Sequence, residues 1–139
     1  MIEFAYNGCK ATLELENDIL WIKIIASSSV VFDKDLATEY WNAINNVDKE
    51  RHYPQIINLI DFHTIVKLEA IELLAQKSQI RRAHIKAYVT KSLMIKQSIK
   101  LYESLLDYTE SQQIPFFEYN SQAYRWVIAQ RQLQSLSVS

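Results

Sequence analysis

From Gln55 onward the chain alternates two kinds of segment: short, almost unbroken apolar runs, and longer stretches whose apolar residues recur every three or four positions. "QIINLIDF" is followed by a helical pattern from about Val66 to Lys77 with Leu68, Ile71 and Ala75 inward and Leu74 beside them. "HIKAYVT" precedes the long stretch "SLMIKQSIKLYESLLDYTES", and Pro115 opens "PFFEY" ahead of a last helix carrying Ala123, Trp126 and Val127. A strand that is apolar at consecutive positions needs cover on both faces, and a strand–helix–strand unit brings the second strand back parallel to the first. The runs around Ile57 and Val89 are therefore expected side by side and parallel, beneath a layer of helices.

The first fifty residues read differently. "IEFAY" and "CKATLELE" flank Asn7-Gly8, a dipeptide suited to the positive φ angles of a type I′ turn. "CKATLELE" stops at Asn17-Asp18 and "ILWIKIIA" continues as a further strand, with Leu20, Ile22 and Ile24 on one face. Lys23 on the other face predicts that this side is only partly covered. "SSSVVF" reads as a connector. Asp33 or Asp35 then caps a helix through "DLATEYWNAINNV", whose inward stripe is Leu36, Tyr40, Ile44 and Val47. "DKERHYP" is a surface loop. In the long third helix the inward band comprises Met94, Ile95, Ser98, Ile99, Leu101, Tyr102, Leu105 and Leu106. The whole is an α/β chain of about four helices, read as one domain over residues 1–131 with a frayed tail at 132–139.

Gly8 is the only glycine in 139 residues. Phosphate-cradling loops, dinucleotide fingerprints and GxSxG nucleophile elbows each need two or more, so all three are excluded. Cys9 is the only cysteine, which excludes an internal disulfide and a Cys-rich metal site. His52, His63 and His84 are far apart in the chain and show no metal-ligand spacing, so neither metal nor cofactor is expected. The net charge of −1 exerts no general pull on nucleic acid or anionic lipid. The start "MIEFAYNG" has no signal-peptide pattern, and no apolar run reaches the roughly 20 residues that span a bilayer; a cytoplasmic location without membrane insertion is the expectation.

Three stretches, "QIINLIDFHTIVKLEAIELL", "IKAYVTKSLMIKQSIKLYESLL" and "IPFFEYNSQAYRWV", together resemble small bacterial proteins of the STAS-like, or SpoIIAA-like, fold. The likeness covers roughly Pro54 to Val127. It implies a four- or five-stranded mixed sheet with an N-terminal antiparallel hairpin, and binding rather than chemistry, since regulatory members switch a protein partner by serine phosphorylation. In those members the serine opens the helix after the central strand. The matching corner here reads Val66-Lys67-Leu68, with neither hydroxyl nor glycine.

In open α/β sheets ligands gather outside the carboxyl ends of the strands. The polar corners there are Ser27, Ser28 and Ser29; Asp61, His63 and Thr64; Thr90, Lys91 and Ser92; and Asn120 and Ser121. Asp61, His63, Thr64, Thr90, Lys91 and Ser92 form the candidate interaction or ligand rim. Asp61, His63 and Ser92 have the residue types of a nucleophilic set, but helix starts need such residues as caps in any protein, and capping is the favoured reading. Glu14 and Glu16 share one side of a strand and are read as a solvated face rather than paired catalytic acids. Lys77, Arg81, Arg82, Lys86, Lys91, Lys96 and Lys100 fall in a stretch without acids and are read as solvated surface rather than a nucleic-acid site. Trp21, if on the open sheet face, would mark a dimer or partner surface. The sequence thus points to a non-enzymatic interaction module with a protein partner or a second copy. The second reading is a domain binding a small apolar or anionic molecule at the rim.

Overall fold

The computed structural model describes residues 2–49, 53–80, 85–106 and 115–138. Two hairpins open it: β1 (Ile2–Tyr6), β2 (Cys9–Glu16) and β3 (Ile19–Ile25) form an antiparallel meander. Asn7 and Gly8 have φ of 48° and 84°, the doubly left-handed geometry of a type I′ turn. Space there is tight as well, because a Cβ at position 8 would lie 3.0 Å from Val30 Cγ2, which would have to give way. Asn17 and Asp18 repeat the geometry with φ of 55° and 58° and no glycine.

The chain continues through β4 (Val31–Phe32), α1 (Lys34–Val47), β5 (Gln55–Asn58), β6 (Ile65–Val66), α2 (Leu68–Ile80), β7 (Lys86–Val89), α3 (Leu93–Ser104), β8 (Phe116–Phe117) and α4 (Asn120–Val138). The main sheet has six strands in the order β1-β2-β3-β5-β7-β8, with β3, β5, β7 and β8 mutually parallel. Ile57 lies opposite Tyr88 and Asn58 opposite Val89, so the two apolar runs are parallel neighbours as expected. Six strands exceed the four or five implied by the resemblance; β8 adds only a two-residue pairing at the edge.

Alternation along each strand sends its residues to two cores. Leu20, Ile22, Ile24, Ile57 and Tyr88 pack with Leu36, Ala37 and Ile44 of α1, Ala70 of α2, and Ile95 and Ile99 of α3. Ile19, Ile56, Ala87 and Val89 face the other way, against Ala123 and Val127 of α4. Helix α4 covers β5, β7 and β8 on that side. The outer part of the same face is open, and Lys10, Glu14, Glu16 and Lys23 are exposed on it.

Three expectations change and one alternative is resolved. The connector at 27–32 contains β4, which pairs parallel with β6 in a separate two-stranded sheet; strands of two residues leave no alternation to read. Of the two caps considered for α1, Asp33 takes the place, accepting from Leu36 N at 3.0 Å. Leu68 opens α2 and faces solvent rather than the core. The inward band of α3 is narrower than expected: Ile95, Ile99 and Leu106 are buried, whereas Met94, Leu101 and Leu105 are exposed. Helix α3 packs on α2 along one flank and meets water along the other, so its apolar residues exceed the surface available to cover them. Residues 132–136, in the stretch expected to fray, form the exposed end of α4.

Candidate functional site

Because β3, β5, β7 and β8 are parallel, their carboxyl ends lie at one end of the sheet. At the end of β3, Ala26 N donates to Asp61 O at 3.1 Å and His63 N donates to Ala26 O at 2.8 Å, which pins residues 61–63 alongside. Phe62 enters the core between them, leaving Asp61 and His63 exposed. The Asp61 carboxylate lies 3.7 Å from Lys23 Nζ, and both side chains are about half exposed, so the pair contributes little.

Three of the remaining rim residues, Thr64, Thr90 and Ser92, are engaged with the fold. Thr64 is 1 % exposed and its hydroxyl donates to the Val30 carbonyl, holding β6 against the start of β4. Thr90 is equally buried; its Oγ1 accepts from Ser92 N at 3.2 Å. Ser92 caps α3, accepting from Ile95 N at 3.2 Å. Lys91 reaches outward, with its ammonium 5.0 Å from the centre of the Tyr119 ring. Asn120, at the start of α4, accepts from Asn58 Nδ2 at 2.9 Å, and Asn58 Oδ1 accepts in turn from Ile60 N at 3.0 Å. Ser27 and Ser29 pair with each other at 2.8 Å between hydroxyls. Asp61, His63 and Lys91 therefore remain as side chains presented to solvent, while Thr64, Thr90 and Ser92 hold the corners in shape. No hydrogen bond joins Asp61, His63 and Ser92 to one another among the described residues.

Around these polar groups the edge is apolar. Val31, Ile65, Leu68, Leu93 and Met94 are each more than half exposed. Val31 and Ile65 are paired across β4 and β6, Leu68 follows three residues later in the first turn of α2, and Leu93 and Met94 occupy the first turn of the adjacent α3. Lys67 is exposed between Val66 and Leu68, where it places a positive charge at the positive end of α2.

No protein-family model matches the sequence, and no curated protein matches it significantly. Solved structures do. An anti-sigma factor antagonist from Mycobacterium paratuberculosis superposes with a TM-score of 0.61 at 15 % identity, over 88 % of this chain and 97 % of that one. An uncharacterized protein from the DUF3478 family with a SpoIIAA-like fold, from Shewanella loihica PV-4, superposes with a TM-score of 0.58 at 12 % identity, over 91 % and 99 %. The fold is SpoIIAA-like.

Within this SpoIIAA-like frame, the opposite pole holds polar residues that were not anticipated. At the amino ends of β5 and β7, Lys86 Nζ lies 3.3 Å from Glu103 Oε1 with both side chains almost buried. Tyr88 OH donates to the same carboxylate oxygen at 2.9 Å, and the Ser78 and Tyr102 hydroxyls are 2.6 Å apart. Lys86 was expected on the solvated surface; the pleat instead turns it inward on the face shared by Tyr88. The signal that could have marked it is a charge within an apolar strand flanked by helices, where a partner is required. Gln55, at the start of β5, is an uncharged polar residue in the same kind of setting. Trp21 is half-buried and stacks on Tyr124 of α4, with ring centres 5.9 Å apart and planes 21° apart, so α4 takes the aromatic surface that was considered for a partner. Arg81, Arg82, His52 and His84 lie outside the described residues. No described helix is long and apolar enough to cross a membrane.

Proposed function

We propose that this chain is a non-enzymatic regulatory module that works through protein contact, docking a partner on the edge formed by β4, β6 and the first turns of α2 and α3. The observation that carries the reading is that Val31, Ile65, Leu68, Leu93 and Met94 are each more than half exposed and sit on the paired β4 and β6 and on the first turns of the neighbouring α2 and α3. Single exposed apolar residues are ordinary, whereas several of them beside exposed polar side chains fit an interaction surface. Asp61, His63, Lys67 and Lys91 supply those polar side chains. The likeness to an anti-sigma factor antagonist, a protein named for acting on another protein, supports the same direction. The corner Val66-Lys67-Leu68 has no hydroxyl, and Thr64 is buried and donating to Val30, so contact here is set by the apolar surface and not by phosphorylation of that corner.

The test is recovery of partners from the native host by the wild-type chain and by the double variant Ile65→Asp, Leu93→Asp. Both positions are 68 % exposed, so the variant keeps its melting temperature. The wild-type chain retains a partner that the variant loses. Identical recovery by the two, or no partner and a monomer in solution, overturns the proposal. A wild-type dimer that the variant breaks assigns the surface to a second copy instead.

A further inference from the structure

Between the sheet and helices α1, α2 and α3 lies a cavity of about 130 Å³. Its walls change character along its length. Toward the carboxyl ends of the strands they are apolar, with Ile24, Leu59, Phe62 and Ile95; at the amino ends Gln55, Ser78, Lys86 and Tyr102 line it. Gln55 is 3 % exposed, and its Nε2 has no hydrogen-bond partner among the described residues. A buried amide N–H without an acceptor is rare in folded proteins and unfavourable, so Gln55 marks a place where an acceptor belongs.

The chemistry around Gln55 restricts that acceptor. Lys86 Nζ and Glu103 lie 3.3 Å apart and offset each other's charge, and Ser78 and Tyr102 bond to each other. Lys86, the one charged residue among the described lining, is already paired with Glu103, so a charged ligand would be buried among apolar walls without a free counter-charge in that lining. A neutral acceptor avoids that penalty. Volume restricts the rest of the molecule. One water takes about 30 Å³, while an apolar cavity of about 150 Å³ accepts benzene.

We propose that this cavity is a binding site for a small neutral molecule with an apolar body of about six to eight non-hydrogen atoms and one acceptor oxygen, held by Gln55 Nε2. The site is separate from the exposed edge described above and stands without it.

The experiment titrates the full ¹⁵N-labelled chain with cyclohexanone, methylcyclohexane and cyclohexanecarboxylate, following the Gln55 side-chain amide by NMR. Cyclohexanone shifts that amide and binds about two- to tenfold tighter than the hydrocarbon of equal size, the gain of one hydrogen bond; the carboxylate binds weakest. Gln55→Leu keeps binding but loses the preference for the ketone. Ile71→Phe and Leu74→Phe, each filling the cavity from α2, abolish the shifts. If one filled variant fails to fold, the other is read, and if both fail the Gln55→Leu comparison decides. Absence of any shift up to probe solubility overturns the site, as does undiminished binding by a folded filled variant. Equal affinity for ketone and hydrocarbon in the wild-type chain overturns the role of Gln55.

Discussion

Cys9 carries its thiol into the first core, and burial pushes its pKa from 9.0 up to about 11. The Tyr88 phenol is also raised well above its usual range, first by burial and then by the Glu103 carboxylate to which it donates. Both groups hold their proton more tightly in the folded chain than in the unfolded one. Below pH 9 neither state releases it, so their contribution is constant. Above pH 9 the unfolded chain loses the cysteine proton first, and stability falls as pH rises toward 11. Urea denaturation at pH 7.5, 9 and 10.5 should show that fall, and Cys9→Ala should reduce it while leaving Tyr88's share. Side chains of this sort also show where reading single residues stops. Thr64 has the residue type of a rim group, but which way its hydroxyl points depends on the carbonyl of Val30, 34 positions earlier. Lys86 has the residue type of a surface charge, and its burial depends on α3, where Glu103 offsets its charge and the Tyr102 hydroxyl accepts from its Nζ at 3.3 Å.

Elements were readable where a local pattern and a tertiary surface agree. Asn7-Gly8 specifies a type I′ turn by its own chemistry, and the helical stripe of α1 delivers Leu36 and Ile44 to the core. Patterns failed where apolar spacing had no surface to meet, as on the outer flank of α3, and where two-residue strands were too short to carry a period, as in β4 and β6. The second hairpin is an intermediate case: Asn17-Asp18 stops the strand as expected, yet Asp18 adopts φ 58° without being glycine. A left-handed non-glycine residue carries a steric cost that glycine avoids. The Asp18 carboxylate is 4.0 Å from Arg131 and mostly exposed, so little is lost with it. Asp18→Gly removes a left-handed cost of about 1–2 kcal/mol against a glycine entropy cost of about 0.4–1 kcal/mol. It should therefore stabilise the chain by about 0.5–1 kcal/mol, read as a higher urea midpoint with an unchanged slope. An unchanged or lower midpoint would show that the Arg131 contact outweighs the backbone term.

The parallel half of the molecule followed from the order of its apolar runs because double-sided burial leaves few other arrangements for such segments. The polar pole of the cavity did not, since Ser78 and Tyr102 are 24 residues apart and Lys86 and Glu103 are 17 apart, beyond any local spacing rule. The extent of the folding unit can be argued in the same terms. Helix α4 seals the second core with Ala123 and Val127, both fully buried, and reaches back to the Asn17 carbonyl through Arg131 Nη1 at 3.0 Å. Beyond that point Leu133 and Leu136 are 58 % and 72 % exposed, so the last turns contribute little apolar burial. We propose that residues 1–131 suffice for folding. A chain ending at Arg131 should melt within about 2 °C of the full chain, a difference well under 1 kcal/mol. Val127→Ala in the full chain should cost about 2 kcal/mol by opening a void against Ile56 and Val89. Loss of folding on truncation would mean that the exposed turns of α4 hold the helix against the sheet, and the boundary would then lie further along the chain.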